Sequence, residues 1–256
     1  MAKAPAKVKE ESTEVAVAED ISSAMIEAAG EGANFDRDDM AIPFLRVLQK
    51  MSPQLSRKDG EYIEGAQEGM IMNTVTGELW EQNEGLFVIP CHHHFKQILW
   101  KPRDSGGGFV AAYERGDPNT PATEPDSRGR DVTGDGNILT PTSEHYVLII
   151  GDEGYTEPAL IAMSSTQLKV SRRWCAYINQ QKVPGRPDLQ APSYSRIYNL
   201  RTIDESNEQG DWCSWAWETS KVVDNIDIFK IAQAFHRSIS EGDVKTEYKS
   251  ADPEVM

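Results

Sequence analysis

The residues best equipped for chemistry lie in and around LKVSRRWCAYINQQKVPGRP, residues 168–187. From Ser164 to Arg201 the chain carries Lys169, Arg172, Arg173, Lys182, Arg186, Arg196 and Arg201 against one acid, Asp188. Trp174, Tyr177, Tyr194 and Tyr198 are interleaved with these cations. The whole chain has a formal net charge of −15, so this window is a segregated feature and points to a partner of opposite sign. Single-stranded nucleic acid is held by two devices together. Cations follow the phosphates, and aromatic faces stack on exposed bases for about 1–3 kcal/mol each. Lys169, Arg172 and Arg173, at i, i+3 and i+4, form one cationic patch on a helix. On a strand, SRIYNLR places Arg196, Tyr198 and Leu200 on one side and Ser195, Ile197 and Asn199 on the other. The competing reading is structural. Trp174, Tyr177 and Ile178 also fit a core-facing helical stripe, with the charges as a solvated face.

A second patch is WKPRDSGGGFVAAYER, 100–115. Trp100, Lys101, Arg103, Phe109, Tyr113 and Arg115 flank a triple glycine, and glycine lets a backbone approach phosphate closely. The spacing matches neither a P-loop nor a dinucleotide fingerprint. A flexible hairpin tip is the alternative.

Two further motifs resemble metal sites. In CHHH, 91–94, strand alternation pairs His92 with His94 and Cys91 with His93. Two histidines are too few for a closed zinc site, and further ligands would have to come from Cys175, Cys213, His145 or His236. DVTGDGNILTPT, 131–142, places Asp131, Thr133, Asp135 and Gly136 as a calcium loop would, but Thr142 stands where a bidentate acid is needed. Neither is taken as a metal site, and no cofactor is expected. No Ser/His/Asp order, nucleophile elbow or H-E-x-x-H occurs, so a non-enzymatic protein is expected.

The elements that must position these residues are mostly strands. Thr76-Gly77 between β-forming residues predicts a hairpin in 68–80. Residues 85–100 read as one long strand, 109–114 as another, and 115–143 as a long loop. EHYVLIIGDEGYTEPALIAM, 144–163, reads as a hairpin turning at Asp152-Glu153-Gly154. Ser164 with Gln167 fits a capping box for the helix that follows. A Pro-rich linker, 183–192, leads to two strands joined by a loop at 204–211. Ile228, Ile231, Ala232, Phe235 and Ile239 mark one face of a terminal helix. The order strands, helix, strands, helix excludes a doubly wound parallel sheet. It fits an α+β, mainly β chain: an OB-like Greek-key barrel with an inserted helix, a C-terminal helix and disordered tails.

Residues 40–239 are thus the expected domain. Residues 1–39, with a net charge of −6, and 240–256, with −3, are the acidic tails. Cys91, Cys175 and Cys213 are odd in number and far apart, which points to a reducing cytoplasm and against a disulfide framework. No apolar run approaches the roughly 18 residues a membrane helix needs, so no membrane is expected.

The series IPFLRVLQKMSPQL, EGAQEGMIMNTVTGELW, FVIPCHHHFKQILWKPRDSGGGFVAAYE and YVLIIGDEGYTEPALIAMSSTQLKVSRRW, within residues 38–240, resembles tailed-phage proteins of the DNA-replication region. It is similar in layout to phage single-stranded DNA-binding proteins. The resemblance implies an OB-like core and a role in phage replication or recombination, in the host cytoplasm. Single-stranded DNA is then the expected partner. Replication or recombination proteins engaged through the acidic tails are secondary partners, and a homo-oligomer stays open. The sequence departs from the bacterial pattern in lacking a strongly acidic C-terminal tip. The alternative is an acidic phage interaction protein, either a DNA-mimic inhibitor or a virion component. A metal-dependent nuclease would need clustered carboxylates, and the acids here are dispersed.

Overall fold

The longest β-forming run in the chain builds the centre of the molecule. β4 (Leu86–Trp100) pairs along nearly its whole length with β8 (Ile138–Ile150), antiparallel, with Val88 opposite Ile149 and Trp100 opposite Ile138. The computed structural model describes residue 24 and residues 42–151, 154–208, 210–242 and 248. The predicted N-terminal tail, residue 24 apart, and most of the C-terminal one lie outside the described residues. Among the described residues the elements in chain order are β1 (Leu45–Val47), β2 (Ile71–Asn73), β3 (Leu79–Trp80), β4, β5 (Phe109–Glu114), β6 (Thr123–Pro125), β7 (Asp131–Thr133), β8 and β9 (Thr156–Ser164). Then come α1 (Gln167–Asn179), β10 (Lys182–Val183), β11 (Arg186–Gln190), β12 (Arg196–Asn207), β13 (Gly210–Val222) and α2 (Ile226–Ser240). All of them belong to one unit, Ala41–Met256.

The main sheet is eight-stranded, with order β13-β12-β4-β8-β7-β6, β5 added to β4 and β9 added to β8. It curls into an antiparallel half-barrel with two helices, the mainly β, OB-like architecture expected. β1, β2 and β3 form a small separate sheet whose hairpin turns at Thr74–Gly77, as predicted. Gly85, at φ +65°, sits so close beneath β12 that a Cβ there would lie 2.1 Å from the Leu200 carbonyl oxygen. Only glycine allows that left-handed entry into β4.

Strand alternation sends consecutive side chains to opposite faces, and both faces of the β4–β8 pair are covered. Val88, Val147, Ile161, Tyr198, Leu200 and Trp215 pack with Trp174 of α1. Ile89, Cys91, Leu148 and Ile197 pack with Ala232 of α2. The two helices therefore lie on opposite faces. α2 is capped by Asn225, whose side chain accepts from the backbone N–H groups of Asp227 and Ile228. Its predicted apolar face is buried at Ala232 and Ile239 and half-buried at Ile228 and Phe235, but Ile231 is exposed.

Several local readings are corrected. Residues 115–143 are not a long loop, because β6 and β7 pair as a hairpin and β8 starts at Ile138. The Pro-rich linker folds back as the β10–β11 hairpin. β12 and β13 stay paired from Arg196–Val222 out to Asn207–Gly210, so the predicted loop 204–211 shrinks to a tight turn. Ser164 ends β9 and makes no capping box; α1 starts after Thr166 with no side-chain cap. The Gln167 side chain instead accepts from Ser214 Oγ (3.1 Å) and the Trp215 N–H (3.1 Å) on β13. These bonds tie the start of α1 to the sheet, while the first-turn N–H groups of Leu168 and Lys169 donate to the Ser165 and Thr166 carbonyls. Tyr248, in the predicted C-terminal tail, stacks on Phe109 (5.0 Å) and meets Trp100 and Phe44 edge-on or tilted.

Candidate functional site

α1 sorts the basic window into an inner and an outer face. Ser171 and Trp174 are buried, whereas Lys169, Arg172, Arg173 and Tyr177 are exposed. The three cations form the compact patch that their spacing predicts, and among the described residues none of them is in an ion pair. Lys182 is exposed on β10, three residues beyond the last residue of the helix.

Most of the remaining predicted contacts do not add free cations to this patch. Arg186 is exposed, but Asp188 holds it bidentately at 2.8 and 3.0 Å. That pairing raises the Arg186 pKa and lowers that of Asp188. Arg201 pairs with Glu218. It also lies on the face of β12 opposite Leu200, while Leu200 packs on the α1 side. Arg196 is half-buried at the start of β12. The register shift after Ile197 leaves its extra residue on β13, since Ile197 faces Lys221 and Tyr198 faces Thr219. Alternation along β12 is therefore unbroken, and Arg196 shares the side of Tyr198 and Leu200 as predicted. Trp100, Lys101 and Arg103 sit at the far end of β4, about 25 Å of strand beyond His93, which faces α1. Lys101 and Arg103 are exposed, but they are a separate patch.

Three predicted stacking rings are core. Trp174 and Tyr198 have 0% exposure and Trp100 has 5%, so none offers a face to a base. Trp174 is clamped between His145 (ring centroids 4.8 Å) and Tyr198 (5.7 Å). Burial pushes the Tyr198 pKa up to about 12. Tyr177 stays 36% exposed and packs against Trp217 of β13 at 5.0 Å. Tyr177 and the half-buried Trp217 make an aromatic ledge beside the cations. Trp217 was not singled out from the sequence, although its alternation with Cys213 and Trp215 along β13 places it on the α1 side.

The histidines provide the second feature. All five in the chain, His92, His93, His94, His145 and His236, gather around the middle of β4. A bulge between Pro90 and His92 breaks the predicted alternation. Cys91 therefore packs with the α2-side cluster, and His92 points to the same side, 3.4 Å from His236 Nδ1. His93 faces α1 and stands directly opposite His145 in the β4–β8 register, with ring centroids 4.8 Å apart. The predicted Cys91–His93 face is thus overturned by one extra residue in the strand. Burial first, then neighbouring histidines, lowers the pKa of His92 to about 4 and of His145 to about 3. Burial likewise lowers that of His93. These rings are neutral at pH 7 and keep nitrogen lone pairs.

A family model described as Pam3 phage gp34-like protein matches residues 10–245. The chain belongs to the Pam3 phage gp34-like family. It is therefore a phage protein, in agreement with the coarser part of the sequence resemblance. The match does not extend to replication-region or single-strand-binding proteins. No curated protein and no solved structure matches this family member. Among its described residues no helix is long and apolar enough to cross a membrane.

Proposed function

We propose that this member of the Pam3 phage gp34-like family is a non-enzymatic binder of single-stranded DNA in phage replication or recombination, acting in the host cytoplasm. The observation that carries the reading is α1. It presents Lys169, Arg172 and Arg173 to solvent beside the Tyr177–Trp217 ledge. Cations on one helix face and a partly open aromatic edge are the two devices a single strand needs. Counterion release then makes affinity fall with salt, with a slope of about 0.7 per phosphate neutralised on a single strand.

Titration with oligo-dT at low salt should quench tryptophan emission through Trp217. The double substitution Arg172→Ala/Arg173→Ala should weaken binding and flatten the log–log salt slope by about 1.4. Arg201→Ala should change neither, because Glu218 already neutralises that guanidinium. Absence of binding at low salt would overturn the reading. The second reading, an acidic interaction protein that mimics DNA or joins the virion, draws on the net charge of −15. It also draws on acids that occupy Arg186 and Arg201. It predicts no oligonucleotide binding and a phage or host protein retained in a pull-down.

A further inference from the structure

We propose that His93, His145 and Cys175 form a binding site for a zinc-class divalent metal ion that staples α1 to the β4–β8 pair. One donor atom from each of the three lies within 4.8 Å of the others. Zn–S and Zn–N bonds of about 2.3 and 2.0 Å place tetrahedral donors about 3.3–3.7 Å apart. The donors therefore close by about 1 Å around an ion, and His93, an exposed side chain at the rim, has the freedom to make that move. The scaffold is rigid on the other two sides. His145 is 1% exposed on β8, directly across from His93. Cys175 comes down from α1 one turn after Ser171, on the same face of the helix.

The surroundings are those of a metal ligand set. Ser171 Oγ lies 2.8 Å from His145 Nε2 and also hydrogen-bonds Cys175. One hydroxyl thus orients both ligands, as outer-shell partners do in metal sites. Imidazole and thiolate donors select zinc, copper or nickel over magnesium and calcium. The three residues open onto a cavity of about 480 Å³ whose other walls include Gln190, Asn179 and Ser193. Three protein ligands with an open fourth position leave room there for water or another small oxygen or nitrogen ligand. Binding converts the Cys175 thiol to thiolate and releases its proton to the buffer. Burial raises the Cys175 pKa, so a proton competes with the metal for that sulfur.

The test uses the full chain stripped of metal, with Zn2+ and Co2+ as probes. One Zn2+ per chain should bind and raise the melting temperature. The Co2+ form should show sulfur-to-cobalt charge transfer with tetrahedral d–d bands. Cys175→Ser should abolish the charge-transfer band. His93→Ala removes a side chain at the rim of the cavity, and the melting temperature of the metal-free variant checks that the fold is kept. The substitution should weaken Zn2+ binding at least tenfold, about 1.4 kcal/mol. His236→Ala should leave binding unchanged. The proposal is overturned by no binding at 100 times the chain concentration. It is equally overturned by a cobalt spectrum lacking thiolate absorption, or by binding that survives His93→Ala and is lost in His236→Ala, which would place the ion on the opposite face with His92.

Discussion

Lys96→Met is expected to lower the unfolding free energy by about 3–5 kcal/mol. Lys96 Nζ lies 3.0 Å from Glu144 Oε2, and the Glu144 side chain is wholly buried while that of Lys96 is 16% exposed. Burial raises the Glu144 pKa, and Lys96 is the largest influence opposing that rise. The Tyr146 hydroxyl donates to the same oxygen at 3.2 Å, and His94, opposite Glu144 in the β4–β8 register, adds a smaller favourable interaction. Methionine keeps most of the lysine stem, so the substitution removes the charge and little of the packing. A carboxylate is then left in the interior without a counter-ion, and its desolvation is uncompensated. Replacing both partners removes that penalty. Lys96→Met/Glu144→Gln is expected to recover most of the loss, because no charge is then buried. Urea midpoints at unchanged m-value for the two single variants and the double measure the coupling. A Lys96→Met variant within about 1 kcal/mol of the parent would show that the pair is hydrated.

Trp174→Ala should cost about as much, roughly 3–5 kcal/mol, because it empties a fully buried site among Val147, Ile161, Tyr198 and Trp215. Trp174→Phe should cost much less. The indole N–H has no hydrogen-bond partner among the described residues, so phenylalanine gives up volume and no polar contact. The neighbouring Tyr177→Ala should show the reverse pattern. Its ring is 36% exposed, so stability should change little, while affinity for oligo-dT should fall by about 1–3 kcal/mol, the value of one stacked base. Thermal unfolding and oligonucleotide titration of the two alanine variants separate the roles. If Trp174→Ala bound weakly while remaining fully stable, the burial assignment would fail. If Tyr177→Ala bound as the parent does, the aromatic ledge would lose its part in recognition.

These two aromatics show how far the amino-acid order reaches. Trp174 and Tyr177 both lie within the basic helix, and helical periodicity places both near an apolar stripe. Only the strands brought over that helix make one of them core and leave the other at a rim. The Arg172–Arg173 patch was legible because i, i+3 and i+4 neighbours are set by the helix alone. The pairing of Arg201 with Glu218 was not legible, because it depends on which strand lies beside β12 and in what register.

The sequence by itself determined the mainly β character, the long β4, the Thr76-Gly77 hairpin, the helix carrying the cations and the terminal helix. Each rests on a period of 2 or 3.6 residues or on turn chemistry, which act between near neighbours in the chain. Tertiary structure alone decided that α1 and α2 cover opposite faces of one strand pair. It also decided that β10–β11 and β6–β7 are hairpins in stretches rich in proline, glycine and polar residues, and that His93 rather than His92 meets His145 and Cys175. The last outcome turns on one extra residue between Pro90 and His92. Alternation has period two, so a single bulged residue reverses the face of every side chain after it. Bulges are set by the partner strand, and residues 138–150 lie too far along the chain for their register to be read locally.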